Sequence, residues 1–254
     1  MTLAEQLLVL VAGFAAGILT STVGVASLVS FPLLLLVGIP PITANASNTV
    51  GLTPGALSGA WGYRTELRAL PGVSWVVLIT CSAGAVAGAV LLLVLPASVF
   101  DAAVPWLILT ASLLVGVQPR VRARIVSRRS ATATDKLGIS LPTGIFATLT
   151  GVYGGYFGAG SGVMMLAVLG LGTDIPFNIA NALKTLAVLA ANLTASILFV
   201  FLAPLNWTAV ALLAVSSAVG GRLGAFVGRT LPAGVLRAGV MLAGVSAASI
   251  LLLT

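Results

Sequence analysis

A lysine in the middle of an apolar run is the residue with the clearest chemical potential in this sequence. Lys184 lies within the hydrophobic run 176–202. If that run crosses a membrane, a cation at its centre costs roughly 2.5–3.5 kcal/mol, and no carboxylate of the chain is well placed to neutralise it. Such a lysine suits an anionic substrate that supplies the missing charge, and removing it should preserve or raise stability. The alternatives are that Lys184 extends to the membrane surface or pairs with Asp174.

Two sets of polar residues share the spacing i, i+3, i+4, which places each set on one helix face. One set contains Lys184, and the other lies in the first half of the chain. Asparagine in hydrocarbon is costly unless it is hydrogen-bonded, so the sets indicate two walls of a polar substrate-binding cavity, with structural interhelical bonding as the alternative. Asn192 returns to the same side of its helix and joins the predicted site. The sets are Asn181, Lys184 and Thr185, and Asn45, Asn48 and Thr49.

Glycine- and hydroxyl-rich stretches at 20–24 and 151–162 precede two short apolar segments. A helix that begins inside a membrane presents unpaired N–H groups and a positive dipole end, and both features bind anions. The stretches are therefore predicted to break helices beside the site, although glycine can also serve close helix packing alone. The predicted half-helix breaks are Ser21, Gly24, Gly158, Gly160 and Gly162, and Ser161 is predicted to bind substrate.

The composition requires a lipid environment for these elements. Of the 254 residues, 59% are hydrophobic and 7% are charged, whereas soluble domains have roughly 45–50% and about 25%. Six of the 12 basic residues lie between 120 and 136. Apolar segments flank this stretch, so it is predicted to be a cytoplasmic loop that sets orientation near anionic lipid, with docking of a cytosolic partner as the alternative. The chain is therefore expected to be a multi-pass protein of the cytoplasmic membrane that does not bind nucleic acid.

The residue inventory argues against catalysis and against cofactors. The chain has no histidine, one cysteine (Cys81) and five acidic residues that form no pair. Intramembrane hydrolases and metalloenzymes need such clusters, and no phosphate-binding Gly-x-x-x-x-Gly-Lys loop is present. We expect no catalytic residue, no metal site and no cofactor, and hence no enzyme.

An internal repeat at an offset of 136 residues organises the chain. The stretch 40–49 matches 176–185, and Gly24 falls on Gly160. Each half contains five apolar segments, and the placement of basic loops predicts that the halves insert in opposite senses, as in secondary transporters. The expected fold is an all-α, polytopic membrane protein with two inverted repeats, 1–118 and 138–254, joined by the basic linker 119–137. The segments are 3–20, 25–38, 43–62, 73–94 and 99–117, then 138–156, 161–172, 176–202, 206–228 and 233–253. The short second segments are expected to form hairpins, either re-entrant or spanning, with the first.

The order of these motifs resembles the TauE/SafE family of sulfite exporters. The resemblance rests on 44–51 with Pro54 and Gly59, on 151–162, on 180–185 and on 220–224. It implies a secondary transporter or permease that exports sulfite or another small inorganic or organosulfur anion. A non-transporting assembly or accessory protein and a permease for an unrelated anion stay as alternatives. The substrate, transport direction, coupling ion and oligomeric state, including a homo-oligomer, are left open.

Overall fold

The computed structural model describes residues 1–131 and 137–227, and these residues form helices joined by short turns. The all-α prediction is confirmed for this part of the chain, which contains no strand. The helices in chain order are α1 (Leu3–Thr22), α2 (Ser27–Leu36), α3 (Pro41–Gly62), α4 (Arg64–Ala69), α5 (Pro71–Val94), α6 (Ala97–Ala131), α7 (Leu141–Tyr156), α8 (Ser161–Gly172), α9 (Phe177–Leu202) and α10 (Trp207–Val227).

Five of these helices, α1, α5, the first part of α6, α9 and α10, are long and apolar enough to cross a membrane. Helix α3 has 22 residues but is too polar to be among them, because it carries asparagine, serine and threonine. Helices α2 and α8 have 10 and 12 residues, which is too short for a span of about 20. The prediction of two short segments is therefore confirmed.

The structure differs from the predicted segments at two places. The short helix α4 was not predicted. Helix α6 continues through Pro119 to Ala131, so the first part of the basic linker is helical and not a loop, because arginine is a good helix former. The predicted last segment, 233–253, lies outside the described residues.

Ordinary capping residues set several helix ends. Thr2 and Glu5 form a capping box at the start of α1, and Ser140 accepts a bond from the backbone N–H of Thr143 at the start of α7. Proline occupies the first turn of α3 and α5, where its missing N–H costs nothing. These signals fix where each long helix begins, and hence which residues reach its centre.

The two halves pack against each other reciprocally. Helix α10 packs against α1 and α3, while α5 packs against α7 and α9. Small residues allow these close approaches: a Cβ added at Gly17 would collide with the backbone of Ser217, and one at Gly84 with the backbone of Thr148. The fourth predicted segment of each half thus packs against the first and third segments of the other half. This exchange is the packing expected of two duplicated halves related by a two-fold axis. The opposite insertion of the halves stays a prediction.

An aromatic cluster holds the hairpin turns in place. Phe31 of α2 meets Phe157, which follows α7, edge to face with ring centroids 5.3 Å apart. Phe100 of α6 contacts Phe157 and Tyr156. All three phenylalanines are 1% exposed, so the turns between α1 and α2 and between α7 and α8 are anchored in the core.

Candidate functional site

Each short helix follows a turn that only glycine adopts without strain. Gly24 has φ +87° before α2, and Gly158 and Gly160 have φ +82° and +81° before α8. Other L-residues rarely occupy this left-handed region. Of the five predicted breaks, Gly24, Gly158 and Gly160 lie in these turns. Ser21 instead lies in the last turn of α1 and Gly162 in the first turn of α8, because the helices extend further than the glycine pattern suggested. Helices α2 and α8 thus begin inside the protein, shortly after the turns.

The turn at Gly24 meets the first turn of α8 beside the Lys184 side chain. A Cβ built on Gly162 would lie 2.9 Å from the Cα atom of Gly24 and 3.2 Å from Cγ of Lys184. A Cβ built on Gly24 would lie 3.0 Å from Cδ of Lys184. We call this contact of Gly24, Gly162 and the Lys184 side chain the hairpin crossing. It brings together predicted residues from positions far apart in the sequence.

The Lys184 ammonium lies at the C-terminal end of α1. The side chain is 0% exposed, so it does not extend to a surface, and that alternative is wrong. Its Nζ atom donates to the backbone oxygen of Thr22 at 2.9 Å and to that of Ser21 at 3.3 Å. Carbonyls at the end of a helix carry partial negative charge. A helix end thus supplies compensation that the sequence did not reveal, and this weakens the reason to expect higher stability without Lys184.

Further side chains from distant helices bind the same end of α1. Asn181 Nδ2 donates to the backbone oxygen of Ser21 at 3.4 Å and to the Tyr63 hydroxyl at 3.1 Å. Tyr63 in turn donates to the Ser21 oxygen at 3.2 Å. The side chain of Gln118, 3% exposed, donates to the backbone oxygen of Val23 at 2.9 Å. Sequence reasoning missed Tyr63 and Gln118, which lie at the ends of their apolar segments and outside the repeated motif.

The two asparagines of the first half contact the end of α7 and the start of α2. Asn45 Nδ2 donates to the backbone oxygen of Tyr156 at 2.9 Å, and Asn48 Nδ2 donates to the Ser27 hydroxyl at the start of α2 at 3.0 Å. The amides of Asn45 and Asn48 are 1% and 0% exposed. Their Oδ1 atoms are buried, and no donor reaches them from the described residues.

The remaining hydroxyl residues of the predicted site bond locally. Thr49 and Thr185 donate to the backbone oxygens of Asn45 and Asn181, four residues earlier in their own helices. Ser161 donates to the Gly158 oxygen and closes the turn before α8. The Ser21 hydroxyl donates to the Gly221 oxygen of α10. These hydroxyls shape the walls of the site, and each would have to exchange its bond in order to contact a ligand.

Asn192 lies apart from this network. It is half-buried in α9, eight residues beyond Lys184 and hence about 12 Å along the helix axis. A contact that the sequence did not suggest lies nearby on the same helix: Thr53 of α3 and Ser196 of α9 hydrogen-bond through their hydroxyls at 2.8 Å. The structure therefore joins the two polar helices, but not through Asn192.

The charges near the hairpin crossing are positive. No group of three His, Cys, Asp or Glu residues that could hold a metal occurs in the described residues. Positive charge comes from Lys184, and the first turns of α2 and α8 add the positive ends of two helix dipoles.

Comparisons with known proteins agree with a membrane transport role. A family model described as "Sulfite exporter TauE/SafE" matches residues 9–251. The chain is 26% identical over 216 residues to the "Probable membrane transporter protein ORF9" of Sinorhizobium sp, covering 84% of this chain and 79% of that protein. It is 27% identical over 216 residues to a "Probable membrane transporter protein" of Haemophilus influenzae, covering 84% and 81%. No solved structure matches the chain significantly.

Proposed function

The chain belongs to the TauE/SafE family of sulfite exporters and is a multi-pass membrane transporter, and from this premise we propose that it exports sulfite or an organosulfonate across the cytoplasmic membrane. The proposed anion site is the hairpin crossing, with Lys184 as its charge and Asn181 as a neighbouring donor. The observation that carries this proposal is the burial of the lysine ammonium where two half-helices begin.

The electrostatics of the crossing favour an anion over the groups that now contact the lysine. A helix C-terminus presents about half a negative charge, whereas sulfite and sulfonates carry one or two full charges. An anion that reaches the crossing can therefore compete with the Ser21 and Thr22 oxygens for the ammonium. Anion binding is thereby linked to the position of α1. As the Lys184 ammonium turns to the anion, the C-terminal end of α1 loses the hydrogen bonds that this ammonium donates.

The first turns of α2 and α8 give the anion a second source of stabilisation. Gly162 lies in the first turn of α8, and its Cα atom faces the turn that leads into α2. The N-terminal ends of two half-helices at membrane depth are a recurrent site for anionic groups in transporters. A hydrogen bond to a charged group contributes about 1.5–3 kcal/mol. One backbone N–H group from each half-helix would therefore add to the attraction between the anion and Lys184.

Transport by purified protein in vesicles tests this proposal. Proteoliposomes are loaded with sulfite, sulfate, sulfoacetate or taurine, and efflux is compared with that from protein-free vesicles and from vesicles with Lys184→Met. We expect saturable efflux of sulfite or of a sulfonate by the wild type and its loss in the variant. Efflux of an unrelated anion alone would make the chain a permease of another kind, and absence of any efflux from correctly inserted protein would favour a non-transporting accessory role.

A further inference from the structure

Two buried acceptor atoms in the first half have no hydrogen-bond donor among residues 1–131 and 137–227. Asn45 and Asn48 lie on one face of α3, with Cβ atoms about 5–6 Å apart by their i, i+3 spacing. The orientation of the Asn45 amide is fixed by chemistry, because its nitrogen donates to the Tyr156 carbonyl, which can only accept. Its Oδ1 atom is therefore an acceptor, and like Oδ1 of Asn48 it is buried with no donor among the described residues. Buried polar atoms are nearly always satisfied, by protein, by water or by an ion.

The equivalent position in the second half already holds a cation. At the offset of 136 residues, Asn45 corresponds to Asn181 and Asn48 to Lys184. Asn181 bonds the C-terminal end of α1, where the Lys184 ammonium also lies. Asn45 bonds the C-terminal end of α7. Asn48 occupies the register position of the lysine and donates to the Ser27 hydroxyl at the start of α2. The end of α1 therefore has a covalently attached cation beside it, whereas the first half has an amide at the corresponding position.

We propose that Asn45, Asn48 and the C-terminal end of α7 bind a monovalent metal cation, with Na⁺ as the test ion. Amide and carbonyl oxygens are hard ligands that suit such ions, and half-helix C-terminal ends coordinate Na⁺ in other transporters. Divalent ions are disfavoured because Ca²⁺ and Mg²⁺ sites use carboxylates, and the described residues contain no acidic cluster. The two oxygens also repel an anion, so this side of the predicted polar cavity accepts the co-ion while the lysine side accepts the anion.

The site goes beyond the anion proposal, because cation binding can be measured with no substrate present. A bound cation would give the first half the positive charge that Lys184 gives the second half. It would also supply an ion to which anion transport could be coupled without any carboxylate. The rival occupant is an ordered water molecule, which satisfies the same oxygens.

Direct binding of ²²Na⁺ to the full-length protein in detergent tests the site, with choline chloride at constant ionic strength and no sulfite. Asn45→Ala and Asn48→Ala each remove one oxygen ligand and should weaken Na⁺ binding about 10-fold, the scale of one ordinary polar interaction. Asn48→Asp keeps the size and adds a charge, so it should bind Na⁺ more tightly. Asn48→Lys places an ammonium in the register of Lys184 and should abolish binding. Ser112→Ala is the control, because Ser112 is 1% exposed and its hydroxyl donates to the Ile108 oxygen of its own helix.

Saturable binding that follows this order of variants supports the site, with an unchanged affinity in Ser112→Ala. Absence of ²²Na⁺ binding by the folded wild type assigns the oxygens to water and overturns the proposal. Binding that is the same in the wild type and in all Asn45 and Asn48 variants also overturns it, since the ion would then lie elsewhere. Neither negative result affects the anion proposal, which depends on Lys184.

Discussion

Two substitutions of Lys184 separate the contribution of its charge from the contribution of its side-chain packing. The uncharged Lys184→Met keeps most of the side chain's length, whereas Lys184→Ala also removes the stem that lies between Gly24 and Gly162. We expect both variants to lose anion binding, because the crossing then has no full positive charge. Lys184→Arg should also fail, since a planar guanidinium does not replace a compact ammonium in a close-packed space.

The expected stability of the two variants differs. Methionine removes two charge-assisted hydrogen bonds, to Thr22 and Ser21, worth about 3–6 kcal/mol together. It also removes the desolvation cost of a buried cation, which is several kcal/mol. These effects offset each other, so the melting temperature of Lys184→Met should stay near that of the wild type. Alanine adds a core cavity, which typically costs about 2–5 kcal/mol for a long side chain, and should melt clearly lower.

The assay measures sulfite affinity and melting temperature of each purified variant in detergent. Lys136→Met is the matched control, because Lys136 is the other lysine of the chain and lies in the basic linker. It should retain wild-type sulfite affinity. If Lys184→Met binds sulfite or another anion of the panel as tightly as the wild type, the lysine serves only to cap α1, and the anion site has been misplaced.

Three further outcomes are expected. Reporter fusions after residue 130 and at the C-terminus should give a cytoplasmic linker and extracytoplasmic termini, and a cytoplasmic C-terminus would contradict the inverted repeat. Changing Asp101 and Asp174 together to Asn should leave measurable efflux, because the expected mechanism needs no carboxylate relay; complete loss at normal expression would argue for proton transfer through them. Gly162→Ala should lower stability by about 1–3 kcal/mol and impair transport, since its Cβ would press on Gly24. Gly72→Ala, with nothing within 4 Å of the added carbon, should do neither, and equal melting temperatures for both variants would mean that the crossing is not close-packed.

The local features of this protein could be derived from the sequence because short-range chemistry decides them. Low charge and long apolar runs require a lipid environment, and the glycines at 24, 158 and 160 interrupt helices where positive φ angles occur. The repeated Asn motif marks one face of α3 and of α9, and all six members of the two polar sets are buried. The spacing was sufficient to predict that each set shares one helix face, since residues three and four apart in a helix lie on the same side whatever surrounds the helix.

The partners of these residues were decided by tertiary structure. Lys184 bonds α1, Asn45 bonds the end of α7, and Gln118 bonds the turn after α1. Each of these contacts joins residues about 100 or more positions apart, and no periodicity encodes which helix end will face which side chain. The sequence also placed Asn192 in the site, because helical periodicity gives the direction of a side chain but not its neighbours at that height. The balancing of a buried cation by a helix end emerges only when α1 and α9 pack together, since the partial charge belongs to the backbone of one helix and the ammonium to another.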